Sequence, residues 1–209
     1  MSKIKLKHSS GNSMSIGAPA TNPASDLELK LPATVGTAGQ VLKNSSTAGT
    51  LEFGSGGIIV QIVNAVYSGS SSFSTSGSTF QDTGLTASIT PSSSSNKILI
   101  MYQIECASET SHRHAVKLVR GSTDILLSDS AGNRLRASNQ QGNPPNNVVM
   151  STFNQTYLDS PSTTSSTTYK LMGWAEADGD FFTNRSQANS DADTHARGVS
   201  TITLMEVAV

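Results

Sequence analysis

The sharpest chemical spacing in the chain is His112-Arg113-His114. Residues two apart on a β-strand share a face, so both imidazoles could reach one metal ion. The motif is short, and two exposed or hydrogen-bonded histidines on a loop entering a strand give the same pattern. The expectation is no metal and no cofactor, with His112 and His114 as the alternative pair. Asp178-Gly179-Asp180 and Asp191-Ala192-Asp193-Thr194-His195 offer oxygen ligands. Neither has the full spacing of a calcium loop, so both read as solvated acids. No Gly-x-Ser-x-Gly elbow occurs, and Glu105, Glu109 and Glu176 have no spacing that pairs them as acid and base. No glycine-rich loop leads into a helix that could cradle phosphate. The chain is not expected to be an enzyme.

Recognition chemistry is better supplied by two long polar stretches, Arg134–Asn147 and Asp178–Arg197. Loops of such length in a compact domain are uncommon and often functional. The candidate contacts are Arg134, Arg136, Asn139, Gln140, Asn143, Phe181 and Arg185, which can hydrogen-bond sugar hydroxyls or pair with acidic groups. The competing reading is that these loops merely cover the ends of the domain. Trp174, the single tryptophan, lies in an apolar strand, which favours a core or subunit-interface anchor over a sugar-stacking platform.

Composition narrows the classes further. Hydrophobic residues make up 35% and charged residues 14%, below ordinary globular usage, and Ser, Thr, Gly and Asn fill the difference. Such residues suit sheets with one wet face. Fourteen basic residues against fifteen acidic ones leave a net charge of -1, with no basic stripe to follow a phosphate backbone, so no nucleic-acid partner is expected. Nothing approaches membrane-spanning length and the first residues carry no apolar signal core, so neither membrane insertion nor secretory export is expected. The lone Cys106 sits in an apolar strand and reads as a small buried residue.

The elements that must position these residues are strands. Gly54-Ser55-Gly56-Gly57 divides the chain. Glycine orders at high entropic cost and packs no side chain, so the stretch reads as a joint between 1–57 and 58–209. In the first part, Lys3–Lys7, Met14–Ile16, Asp26–Leu31, Gln40–Leu42 and Leu51–Phe53 are short alternating runs between Gly, Pro and Ser breaks. One copy could hardly bury enough surface to offset its ordering entropy, so packing against other copies is expected. In the second part, Ile58–Tyr67 is apolar on both faces at its start and predicts a buried strand. Leu85–Thr90 and Lys97–Ile104 predict a hairpin, with the second strand lying between two sheets. Ala115–Arg120, Ile125–Leu127, Val148–Asp159, Tyr169–Trp174 and Val199–Val209 continue the series, and the last is expected to be tied into the sheet. No segment has a helical apolar period. The fold class is all-β: a β-rich N-terminal segment followed by an antiparallel jelly-roll sandwich.

Leu29-Lys30-Leu31-Pro32, Gly36-Thr37-Ala38-Gly39-Gln40-Val41-Leu42 and Leu51-Glu52-Phe53 resemble an N-terminal module of bacteriophage tail-fibre and related virion proteins. Tyr157–Pro161, Thr163-Thr164, Thr167–Lys170 and Ile202–Glu206 resemble the C-terminal domains of phage fibres, with a jelly roll similar to the C1q and tumour-necrosis-factor type. The resemblance implies a homotrimer located in the virion and assembled in the bacterial cytoplasm. It implies that residues 1–57 attach to other tail or head proteins and that the C-terminal loops contact a host cell-surface glycan or protein. A head fibre, decoration protein or neck and collar component without receptor binding is the alternative it also allows. Phage fibres further include trimers in which His-x-His pairs surround an iron ion on the threefold axis, the setting in which His112 and His114 would serve as ligands.

Overall fold

The computed structural model describes residues 3–7, 10–11, 13–17, 21, 23, 28–37, 40–55 and 58–209. The chain separates into two compact units, 1–56 and 57–209. Gly56 and Gly57 of the expected joint lie outside the described residues.

In the first unit, β1 (Lys3–Lys7) pairs antiparallel with β2 (Ser13–Gly17), and β3 (Gln40–Asn44) with β4 (Leu51–Ser55). The expected strand at Asp26–Leu31 falls partly outside the described residues. Its described end forms a single parallel bridge, Lys30 to Thr50, through Lys30 N–H to Gly49 O and Leu51 N–H to Lys30 O. Leu29, Leu31, Val35, Val41 and Leu42 of this unit are exposed.

The second unit is a sandwich of two antiparallel sheets. One sheet holds β5 (Ile59–Tyr67), β6 (Ser71–Ser74), β8 (Lys97–Ser108), β12 (Ser151–Asp159), β14 (Asp180–Thr183) and β15 (Ser200–Val207). The other holds β7 (Gln81–Ile89), β9 (His114–Arg120), β10 (Thr123–Ile125), β11 (Asn139–Gln141) and β13 (Thr167–Ala175). In the first sheet β8 is central, with β12 along one side and β15 followed by β14 along the other. In the second, β13 lies between β7 and β9, and β10 and β11 share the far side of β9. The connections from β7 to β8, β8 to β9, β11 to β12, β12 to β13 and β13 to β14 all cross between sheets, as a jelly roll requires.

Two strand expectations need correction. Leu85–Thr90 and Lys97–Ile104 are not a hairpin, because β7 pairs with β13 while β8 pairs with β12 and β15. Loop 90–96 instead arcs over the end of the sandwich. Nor is Ile59–Tyr67 buried on both faces. β5 turns Val63, Ala65 and Tyr67 into the core, but Val60, Ile62 and Val66 are exposed. Likewise β8 lies in one layer, with Ile98, Ile100, Tyr102 and Ile104 inward and Leu99, Met101 and Gln103 outward.

Inward residues of both sheets form one core around Ile100, Leu118, Tyr169, Leu171, Phe181, Ile202 and Leu204. Close packing inside the sandwich shows at Gly173, where a Cβ would lie 2.7 Å from the Phe181 ring. The polar groups inside are bonded in place. Asp159 takes two hydrogen bonds of 2.8 Å from Arg120 and one of 2.7 Å from the Tyr169 hydroxyl. Glu206 anchors loop 90–96. Its carboxylate accepts from Asn96 Nδ2 at 2.6 Å, from Ser92 N and Oγ at 2.7 Å each, and from Gln61 Nε2. Burial opposes its charge, but these donors prevail and lower its pKa to about 2.

Candidate functional surfaces

Period-2 alternation sends every second side chain of β5, β15, β8 and β12 away from the core. The registers align them in rows. Val66, Thr201, Gln103 and Asn154 form one row, and Asn64, Thr203, Met101 and Thr156 the next. A third row, Ile62, Met205, Leu99 and Leu158, is apolar across all four strands. Ile62 is 57% exposed, Leu158 46% and Met101 43%. Asn64 Nδ2 donates to Thr203 Oγ1 at 2.8 Å, which ties the outer edge of the face together. The first two of these rows border a shallow recess of about 600 Å³, lined by Met101, Gln103, Asn154, Thr156, Thr201 and Thr203. No charged side chain lies in these three rows. The sequence signal for this face was present in the two-sided apolar character of Ile58–Tyr67 and Lys97–Ile104, which sequence reasoning assigned to burial inside the domain.

The outer face of the other sheet differs. Lys117 of β9 pairs with Asp124 of β10 at 2.8 Å and lies 4.9 Å from the Phe80 ring. Phe80 packs against Trp174 with ring centroids 6.4 Å apart, and Trp174 Nε1 donates to Gly77 O at 2.7 Å. Trp174 is 9% exposed, so it anchors loop 75–80 on the sheet. Residues 126–138 fold back beside it, held by Ser138, whose Oγ donates to Leu126 O at 2.9 Å. This brings Arg134 and Arg136 to the rim of a recess of about 260 Å³ with Phe80, Lys117 and Asp124. Arg136 Nε donates to Ser128 O at 2.8 Å, and neither arginine joins an ion pair among the described residues. An aromatic face beside fixed cations can hold a polar or anionic ligand.

The other sequence-predicted contacts do not gather here. Gln140 and Asn143 are exposed, in β11 and just after it. Asn139 is half-buried, and its Oδ1 accepts from the Tyr102 hydroxyl at 2.7 Å, so its acceptor is spent on the core. Phe181 is a correction. It is fully buried in β14 and stacks on Phe73 with centroids 5.3 Å apart, so it cannot touch a receptor. The polar stretch around Phe181-Phe182 is a short strand, and alternation places Phe181 in the core. Arg185 lies on a different loop from Arg134 and Arg136, opposite Arg197 in an antiparallel bridge.

His112 and His114 are not presented together on one open face. His112 lies in a turn, its N–H donating to Glu109 O at 3.1 Å. His114 opens β9 and points inward, fully buried, with its ring centroid 5.5 Å from that of Phe153. Its Nδ1 lies 3.0 Å from Ser108 Oγ, and Nε2 has no partner among the described residues. Burial lowers its pKa to about 4, so it is a neutral imidazole at pH 7.

The remaining candidates are occupied separately. Glu105 accepts from Thr152 at 2.8 Å, and Glu176 pairs with Arg113 at 2.8 Å. Asp178 accepts from Gly77 N–H at 3.1 Å, and His195 lies 2.8 Å from Ser190 Oγ. Cys106 is buried, and burial followed by the charge of Glu105 raises its thiol pKa well above the usual value. Among the described residues no cluster of three or more His, Cys, Asp or Glu is gathered around a common point.

No protein-family model matches the chain, and no curated protein matches it. Among solved structures, the subviral particle of infectious bursal disease virus VP2 aligns over 81% of this chain at 10% identity with a TM-score of 0.26. The alignment spans 43% of that viral chain.

Proposed function

We propose that this chain is a homotrimeric bacteriophage tail-fibre protein without enzymatic activity. In this reading residues 1–57 attach it to other virion proteins, and the sandwich makes multivalent contact with the host surface. The observation that carries the reading is the outer face of the β5–β15–β8–β12 sheet. A monomer rarely leaves a contiguous apolar row bare on a sheet face, and an uncharged face of Ile, Met, Leu, Thr, Asn and Gln suits burial against copies of itself. The exposed Leu29, Leu31, Val35, Val41 and Leu42 support the same reading for the first unit, which has little of its own to bury. Weak single contacts would then gain strength from simultaneous engagement.

Sedimentation of the full chain tests the assembly. The wild type should run as three chains, and the double substitution Leu99→Glu with Met205→Glu should run as one while keeping its β-sheet circular dichroism. A wild-type monomer at micromolar concentration overturns the trimer. Cell binding tests the receptor role separately. Saturable binding to host cells should fall when Arg134 and Arg136 are replaced by Gln. The burial of Phe181 and the internal bond of Asn139 favour a second reading, a head fibre, decoration or collar protein. That reading predicts a trimer with no saturable cell binding.

A further inference from the structure

Arg185 and Arg197 face each other across a two-residue antiparallel bridge. Like charges directly opposite destabilise a strand pair, so the arrangement needs a reason. The bridge is also rigidly mounted. Gly198 N–H donates to Asn184 O at 3.0 Å, and Asn184 Nδ2 donates to Tyr67 O at 2.7 Å and Gly69 O at 2.8 Å. Ser200 Oγ donates to Asn184 Oδ1 at 2.6 Å. Each guanidinium is fixed by neutral acceptors. Arg185 stacks 4.3 Å over the Phe182 ring and donates to Ser186 O at 3.0 Å. Arg197 donates to Asn189 Oδ1 at 2.6 Å and to Ser70 Oγ.

Among the described residues neither arginine meets a carboxylate, and no ion pair includes either one. Asp180 acts on Arg185 from a distance, but its carboxylate accepts from Ser74 Oγ. Asp191 and Asp193 lie exposed on the same loop without closing on the pair. Burial, and then the charge of Arg197, lowers the Arg185 pKa, so the two cations are close enough to repel.

We propose that Arg185 and Arg197 form a clamp for a single oxyanion, the carboxylate or phosphate of an acidic surface sugar. Two guanidiniums leaving one face of an antiparallel bridge suit an anion with two or more acceptor oxygens. Asn189 stands exposed on the same loop; its Oδ1 is held by Arg197, and its Nδ2 is the group that could donate to a sugar hydroxyl. Ligand charge relieves the repulsion built into the bridge. The clamp stands on this geometry and requires no virion role.

Calorimetric titration of the intact protein with glucuronate, glycerol 1-phosphate and neutral glucose tests it. Saturable binding of either anion but not of glucose is expected. Arg197→Gln, at an exposed position, should weaken that binding about tenfold or more, and Arg185→Lys should weaken it less than Arg185→Gln. Glucuronate alone binding would assign a carboxylate, and glycerol phosphate alone a phosphate. An unchanged Trp174 fluorescence melt separates a lost ligand contact from a lost fold. No saturable binding of either anion, or binding indifferent to Arg197→Gln in a folded protein, overturns the clamp. Cell binding that persists in Arg197→Gln would overturn the clamp as the host contact and leave the fibre reading standing.

Discussion

Replacing Glu206 by Gln should remove a pH-dependent fastening of the sandwich. The carboxylate is fully buried and accepts from Asn96, Ser92 and Gln61, and its pKa falls from 4.5 to about 2. A carboxyl whose folded pKa lies below its unfolded one stabilises the fold above the unfolded pKa and loses that effect as pH falls through the folded one. These two pKa values correspond to at most about 3.4 kcal/mol at pH 7, about 1.4 at pH 3 and about 0.4 at pH 2. Thr90, Ser92, Ser94 and Ser95 of loop 90–96 are exposed, and nearby water screens the site, so a net loss of about 2 kcal/mol at pH 7 is expected for Glu206→Gln. Gln can keep an uncharged oxygen on Asn96 and Ser92, but its NH2 then faces the Gln61 Nε2 donor. Urea unfolding followed by Trp174 fluorescence is the assay, because the only tryptophan reports on the second unit alone. The stability difference between wild type and variant should be full at pH 7 and nearly gone at pH 2. A loss below about 0.5 kcal/mol at pH 7, or an equal loss at both pH values, refutes the reasoning.

Gly173→Ala should destabilise the sandwich by about 1–3 kcal/mol in the same urea assay, since its Cβ meets the buried Phe181 ring at 2.7 Å. His114→Gln should flatten the acid side of the stability curve at higher pH. Burial lowers the His114 pKa from 6.5 to about 4, so the wild type is fully stable above pH 6.5 and loses up to about 3 kcal/mol on acidification toward pH 4. Unfolding midpoints at pH 7.5, 5.5 and 4.5 check this, and a slope that survives the substitution assigns it to another group.

Much of the fold was legible because alternation over eight or nine residues can be read directly. Ser151–Asp159, Thr167–Ala175 and Ser200–Val207 are strands with alternating or nearly alternating burial, close to where their apolar residues placed them. Alternation assigns faces, not neighbours. Leu85–Thr90 and Lys97–Ile104 could not be told from a hairpin, because their true partners lie far along the chain. The candidate contacts were less legible for a related reason. Residue type tells which donors and acceptors exist, but not whether the protein has already used them. Asn139 spends its acceptor on Tyr102, whereas Arg134 and Arg136 keep their charges for the surface. Phe181-Phe182 carried a usable signal, since two adjacent aromatics in a polar stretch are costly unless one is buried.

The two sheets also show why an apolar run can mislead about burial. On the five-stranded sheet, the outward positions of β9 and β13 mix Lys117, paired with Asp124, and Lys170, 3.4 Å from Asp82, with Val119, Met172 and Trp174. Loop 75–80, anchored by Trp174, and residues 126–138 cover part of that face. On the six-stranded sheet, the outward positions of β5, β15, β8 and β12 carry Ile62, Met205, Leu99 and Leu158 in register. Both faces belong to one sandwich with one core, so the core cannot explain the difference. The apolar residues of β8 alternate inward and outward about a single sheet, and only the inward set is needed to close the fold. Selection for folding alone would leave Leu99 and Met205 free to become polar, as Lys117 and Lys170 are. Their apolar character, aligned across four strands, is therefore the part of the strand pattern that closing the fold does not require and that the proposed trimer would use.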